Sequence, residues 1–179
     1  MELAIRASER VRGTTSPNPP VGAVVLDRDG DIAGVGATNP PGGAHAEVVA
    51  LAQAGARARG GAAVVTLEPC AHHGRTPPCV DALVAAGVRS VYFAVSDPNP
   101  RAAGGAAALR AAGVDVHDGL LADEVGSGPL RAWLHHVVTG RPHVTWKYAM
   151  TMDGRVAAAD GTSRWISGET SRAEVHLMR

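Results

Sequence analysis

The tripeptide His45-Ala46-Glu47, followed downstream by Pro69-Cys70 and Pro78-Cys79, constrains this chain more than any other feature. It supplies three soft metal ligands and one carboxylate. The two cysteines are the only ones in 179 residues, and each directly follows a proline. If one ion uses all three ligands, any fold must bring these separated segments to one point.

Zinc favours four-coordinate sites built from cysteine thiolate and histidine nitrogen, and a catalytic site keeps the fourth position for water. His45, Cys70 and Cys79 make the three-ligand count. Each is expected at or just before a helix N-terminus, where the helix dipole favours thiolate. Glu47 lies two residues after His45, so on a helix the two do not share a face. It is poorly placed as a fourth ligand and well placed to exchange a proton with an activated water. The order His-x-Glu, Pro-Cys, then Cys matches zinc-dependent hydrolytic deamination of a nitrogen heterocycle, although the usual Cys-x2-Cys is widened here to eight intervening residues. The same residues would also serve as a capped helix start and two buried thiols, or as a structural metal clip. The intervening Ala71-His72-His73-Gly74-Arg75-Thr76-Pro77-Pro78 must arch beside the metal, where it can read a substrate.

Charge narrows the partners. The chain carries 17 basic and 17 acidic residues, for a formal net charge of +0. No run of like charge supports binding to nucleic acid or to an anionic membrane. Aromatic residues make up only 3%, which is little for the base stacking that nucleic-acid deaminases use. Charges interrupt MELAIRASERVRG every few residues, so it does not read as a signal peptide. No apolar run reaches membrane-spanning length. A cytoplasmic protein is expected, and in a reducing compartment two cysteines favour metal binding or catalysis over a disulfide.

The pattern of apolar runs and breakers gives an element order. A helix over 1–12 leads through the turn-rich GTTSPNPP to a hairpin, with strands at 21–26 and 32–36 around Asp27-Arg28-Asp29-Gly30. Helix 44–59 ends at Gly60-Gly61. Strand 62–67, helix 78–86, strand 88–95, helix 103–112 and strand 114–117 then alternate. Residues 120–138 are helical, with Gly126, Gly128 and Pro129 forcing a kink or a split. This order predicts a mixed sheet sandwiched by helices. Thr139-Gly140-Arg141-Pro142 reads as a linker, followed by a strand at 143–149, a turn at Met152–Arg155 and a helix at 167–179. The expected domains are therefore 1–142 and 143–179, the second resembling the opening of another domain.

TSPNPPVGAVV (Thr15 to Val25), HAEV (His45 to Val48), TLEPCAHHGRTPPC (Thr66 to Cys79) and DPNP (Asp97 to Pro100) resemble the deaminase half of the bacterial bifunctional riboflavin-biosynthesis deaminase–reductase family. WKYAMTMDGRVA and SRWIS resemble the start of that family's reductase half. The resemblance implies a cytidine-deaminase-like three-layer α/β/α sandwich with one zinc ion per deaminase site. It implies hydrolysis of 2,5-diamino-6-(5-phosphoribosylamino)pyrimidin-4(3H)-one to 5-amino-6-(5-phosphoribosylamino)uracil and ammonia, with Glu47 moving the proton. It also places Asn18, His72, Arg75, Asp97 and Asn99 on the substrate, Arg75 as a guanidinium partner for phosphate. In the reductase stretch, Ala149, Ser163, Trp165 and Arg179 match positions for NADPH or substrate. NADPH is expected only of a complete reductase domain, so this chain is expected to deaminate and not to reduce. A homo-oligomer is expected by the same resemblance.

One position departs from the family: the histidine seven residues before the zinc histidine is Thr38 here. Glu68, before Pro69 at a strand end, reads as structural. His73, His117, His135, His136, His143 and His176 show no partner pattern and read as surface or core residues. Two other readings remain at this point, a zinc deaminase of another nucleoside or nucleotide and a non-enzymatic zinc module with His72 closing the fourth position.

Overall fold

Gly22–Leu26 (β1) and Ile32–Ala37 (β2) form the expected antiparallel hairpin. Asp27 builds its turn, its Oδ1 accepting hydrogen bonds from the amides of Asp29 and Asp31. That is why aspartate suits such positions. The computed structural model describes residues 1–74 and 77–178. Ala62–Leu67 (β3), Ser90–Val95 (β4) and Asp115–His117 (β5) complete a sheet of order β2-β1-β3-β4-β5. β1 is antiparallel to both neighbours, while β3, β4 and β5 are parallel. The sheet is mixed, as the element order predicts.

Helix Glu2–Arg10 (α1) covers one face of the hairpin, and Ala46–Ala54 (α2), extended by a 3-10 turn over Gly55–Ala58, also packs on it. The period-two alternation of strand side chains separates the two layers. Val24 and Val64 pack with Ala4 of α1. Ala23, Val25, Ala63 and Val65 point into a larger core with Ala46, Ala50 and Ala54 of α2. Cys79–Ala86 (α3) adds Leu83 to that core, and Gly105–Ala111 (α4) adds Leu109. Ala122–Ser127 (α5) packs against β4 and is followed by Arg131–Thr139 (α6). The break between them falls at Gly128–Leu130, where the glycine and Pro129 interrupt the helical pattern.

The α2 interface is made of alanine on the helix and glycine on the strand, so backbone meets backbone. A Cβ on Gly36 would lie 2.1 Å from the Ala46 carbonyl oxygen. Only glycine permits that approach, and it fixes the start of α2 against β2.

The chain divides into two units, Met1–His143 and Val144–Arg179. Within the second, Thr151 donates its amide to the Arg155 carbonyl at 2.8 Å and closes the expected turn. Glu169–Leu177 (α7) buries none of its residues, and the Arg172 guanidinium lies 4.2 Å from the centre of the Trp165 ring. The strand expected at 143–149 is not formed. An apolar run becomes a strand only where another strand satisfies its backbone groups, and no described segment pairs with it. No described helix is long and apolar enough to cross a membrane.

Replacing Gly36 by alanine is expected to lower folding stability by about 1–3 kcal/mol, the usual cost of overpacking. The shift in urea midpoint at unchanged slope measures it.

Candidate metal centre and its cavity

Because β3 and β4 are parallel, their C-terminal ends emerge at the same edge of the sheet, where open α/β sheets bind ligands. β3 runs into Glu68-Pro69-Cys70, and β4 into Asp97-Pro98-Asn99-Pro100. His45 is the N-cap of α2, and Cys79 is the first residue of α3 behind the N-cap Pro78. Cys70 departs from expectation, since it lies in the loop after β3 and begins no helix. The Cys79 amide donates to its Sγ at 3.4 Å, so the N-terminus of α3 serves both sulfurs.

His45 Nδ1 is 3.2 Å from Cys79 Sγ and 3.6 Å from Cys70 Sγ. The three donor atoms all lie within 4.8 Å of one another. Zn–S bonds of about 2.3 Å and Zn–N bonds of about 2.0 Å at tetrahedral angles require donor separations of roughly 3.5–3.8 Å. The donor set and its spacing therefore fit zinc. His72 is not part of the cluster, which leaves a three-ligand set among the described residues.

The electrostatics suit a cation. Hydrogen bonding from Cys79, aided by His45 and the Cys79 amide, lowers the Cys70 thiol to about 4. The same contact with Cys70, together with burial, pushes the Cys79 thiol up. The pair thus holds one thiolate and one proton, and a bound metal takes that proton's place. His45 is raised by its hydrogen bond with Cys70. Glu47 is buried, and burial raises its carboxyl to about 7. A carboxyl poised there can hold or release a proton near neutrality.

Glu68 keeps its structural reading. Its carboxylate accepts hydrogen bonds from the Asp97 amide at 3.1 Å and the Ala106 amide at 2.9 Å. It thereby ties the end of β3 to the loop after β4 and to the first turn of α4. A Cβ on Gly105 would lie 1.7 Å from the Pro69 carbonyl oxygen, so α4 presses directly on the residue before Cys70. Asp97 Oδ1 accepts the Asn99 amide at 2.8 Å, and burial raises the Asp97 carboxyl.

The donors open into a cavity of about 480 Å³. Asn18, His72, Asp97 and Asn99 line it together with His45, Glu47 and Cys70. Cys79 is fully buried and is not part of that lining. Thr38 also lines the cavity, with its Oγ1 accepting the Val21 amide at 3.0 Å. Arg75 and Arg179 lie outside the described residues. In the second unit, Ser163 and Trp165 line a separate hollow of about 770 Å³, and Ala149 is not part of its lining.

The cytidine and deoxycytidylate deaminase zinc-binding region matches residues 1–95, which include all three ligands and Glu47. The chain belongs to this deaminase family. The RibD C-terminal domain matches residues 142–179. Over its whole length the chain is 59% identical to riboflavin biosynthesis protein RibD of Mycobacterium tuberculosis, covering 53% of that protein. It is 46% identical to RibD of Escherichia coli, covering 48% of that protein. The chain thus spans about half the length of the curated relatives it matches. A crystal structure of a diaminohydroxyphosphoribosylaminopyrimidine deaminase/5-amino-6-(5-phosphoribosylamino)uracil reductase from Thermotoga maritima superposes with a TM-score of 0.92 at 41% identity, over 100% of this chain and 51% of that one. The fold is the cytidine-deaminase-like sandwich.

Sequence reasoning missed one wall of the deaminase cavity. Trp133, His136 and Val137 of α6 line it. No motif marks them, and the only available signal was their i, i+3, i+4 spacing, which places them on one helix face.

His45→Ala and Cys79→Ser are each expected to reduce bound zinc from about one per chain to near zero, because two ligands do not hold a site built for three. Elemental analysis after dialysis measures it. Glu68→Ala leaves the Asp97 and Ala106 amides unpaired and is expected to cost about 1–3 kcal/mol in urea unfolding.

Proposed function

We propose that the chain carries out the deaminase step of riboflavin biosynthesis. It would convert 2,5-diamino-6-(5-phosphoribosylamino)pyrimidin-4(3H)-one and water to 5-amino-6-(5-phosphoribosylamino)uracil and ammonia. The carrying observation is the three-donor cluster together with buried Glu47, which lines the 480 Å³ cavity with His45 and Cys70. The neighbouring structure from Thermotoga maritima supports the choice of substrate.

His45, Cys70 and Cys79 would hold zinc, which as a Lewis acid lowers the pKa of bound water to about 7. Glu47 takes a proton on a carboxylate oxygen as water adds to the amino-bearing carbon. It then gives that proton to the amino nitrogen, which leaves as ammonia. Burial near pKa 7 suits both halves of that exchange. Asn18, His72, Asp97 and Asn99 bind and orient the substrate from the loops around the cavity, and Arg75 is assigned to its phosphate. A closed structural zinc site normally has a fourth protein ligand; the three-donor cluster favours the catalytic reading.

Residues 143–179 are assigned as the opening of an NADPH-dependent reductase domain, with Ser163, Trp165, Ala149 and Arg179 at its cofactor or substrate positions. The match to the RibD C-terminal domain supports this. Reduction and NADPH binding belong to the complete domain. A homo-oligomer acting on a small phosphorylated molecule, without nucleic acid, fits this reading.

Zinc-loaded protein is expected to release ammonia from the diaminopyrimidinone phosphate and none from cytidine. Glu47→Gln is expected to keep its zinc and lose about 10²- to 10⁴-fold in kcat, the usual share of a general acid–base. Full activity in that variant overturns the role given to Glu47.

A further inference from the structure

The cavity wall contributed by α6 has no role in the chemistry above. Among the described lining residues, the side chains that can carry charge are Glu47, Glu68, Asp97, Cys70 and three histidines. A phosphorylated substrate brings a further dianion into a space already holding three carboxyl groups. Glu68 already accepts hydrogen bonds from two backbone amides, and His45 belongs to the metal set. His72 lies close enough to Asp97 for its charge to be felt there. That leaves His136 as the described histidine of the lining committed neither to the metal set nor to an acid of the reaction centre.

Its setting is that of a rim residue. Leu130, just before α6, is fully buried and anchors the helix. Trp133 packs partly against the core while facing the cavity. His136 follows one turn later on the same face and is exposed. A rigid indole between the core and the cavity holds this helix face in place, and an exposed imidazole can donate a ring N–H to a phosphate oxygen without a desolvation cost of its own.

We propose that His136 of α6 is a specificity-determining residue that binds the phosphate end of the substrate, with Trp133 fixing its position. The proposal rests on the phosphoribosyl substrate assigned above. His136 is not a member of the metal donor set, so in this proposal it acts on substrate affinity and not on the chemical step.

The test compares the full 179-residue zinc-loaded chain with His136→Ala and His136→Arg, on the phosphorylated substrate and on its dephosphorylated ribosylamine. A charge-assisted hydrogen bond predicts a KM for the phosphorylated substrate raised about 10- to 100-fold in His136→Ala, with kcat nearly unchanged. Arginine, which also pairs with phosphate, is expected to restore KM. Kinetics on the dephosphorylated compound should not change. An equal loss on both substrates, or an unaltered KM, overturns the proposal. Calorimetric titration with ribose 5-phosphate supplies a readout without turnover: His136→Ala should weaken its binding by a similar factor, and equal binding by both proteins overturns the proposal. If the wild-type chain binds ribose 5-phosphate through His136 but releases no ammonia, the assigned reaction fails and the phosphate site stands.

Discussion

Parallel pairing of β3 with β4 is the constraint from which the site follows. With Leu67 opposite Val95, the next residues of both strands leave the sheet side by side. One loop carries Cys70 and the other Asp97. Glu68 then bridges the two loops through backbone amides, so the loops hold their spacing without relying on contacts between mobile side chains. The helices complete the arrangement. α2 presents His45 at its N-terminus, and α3 turns its own N-terminus toward both sulfurs.

Three carboxyl groups surround one cavity, and each is handled differently. Glu68 spends both oxygens on amide donors. Asp97 accepts one amide and is partly lifted by burial. Glu47 is buried most completely and rises to about 7. Environment, not residue type, therefore separates the acid that bridges two loops from the acid whose carboxyl is raised toward neutrality.

The metal donors and the sheet were legible in the sequence because each leaves a local mark. His-x-Glu at a helix start, the Pro-Cys pairs and the Asp-rich hairpin turn are short-range signals. The loop holding Cys70 was legible between strand 62–67 and helix 78–86, but not that the N-terminus of α3 serves its sulfur from outside that loop. The strand expected at 143–149 failed because a strand-like run carries no information about its partner. His136 was invisible for a related reason. Its place in the cavity depends on how α6 packs, and α6 buries none of its own residues.

The glycine contacts at Gly36 and Gly105 act next to the residues flanking His45 and Cys70. Donor spacing is thus set by main chain against main chain, in a layer where no side chain is available to vary. The rim, by contrast, is made of side chains on loops and on a lightly anchored helix. A scaffold divided in this way is suited to redesign. The mouth can be recut for molecules of other shape and charge while the reacting base of the pocket keeps its dimensions.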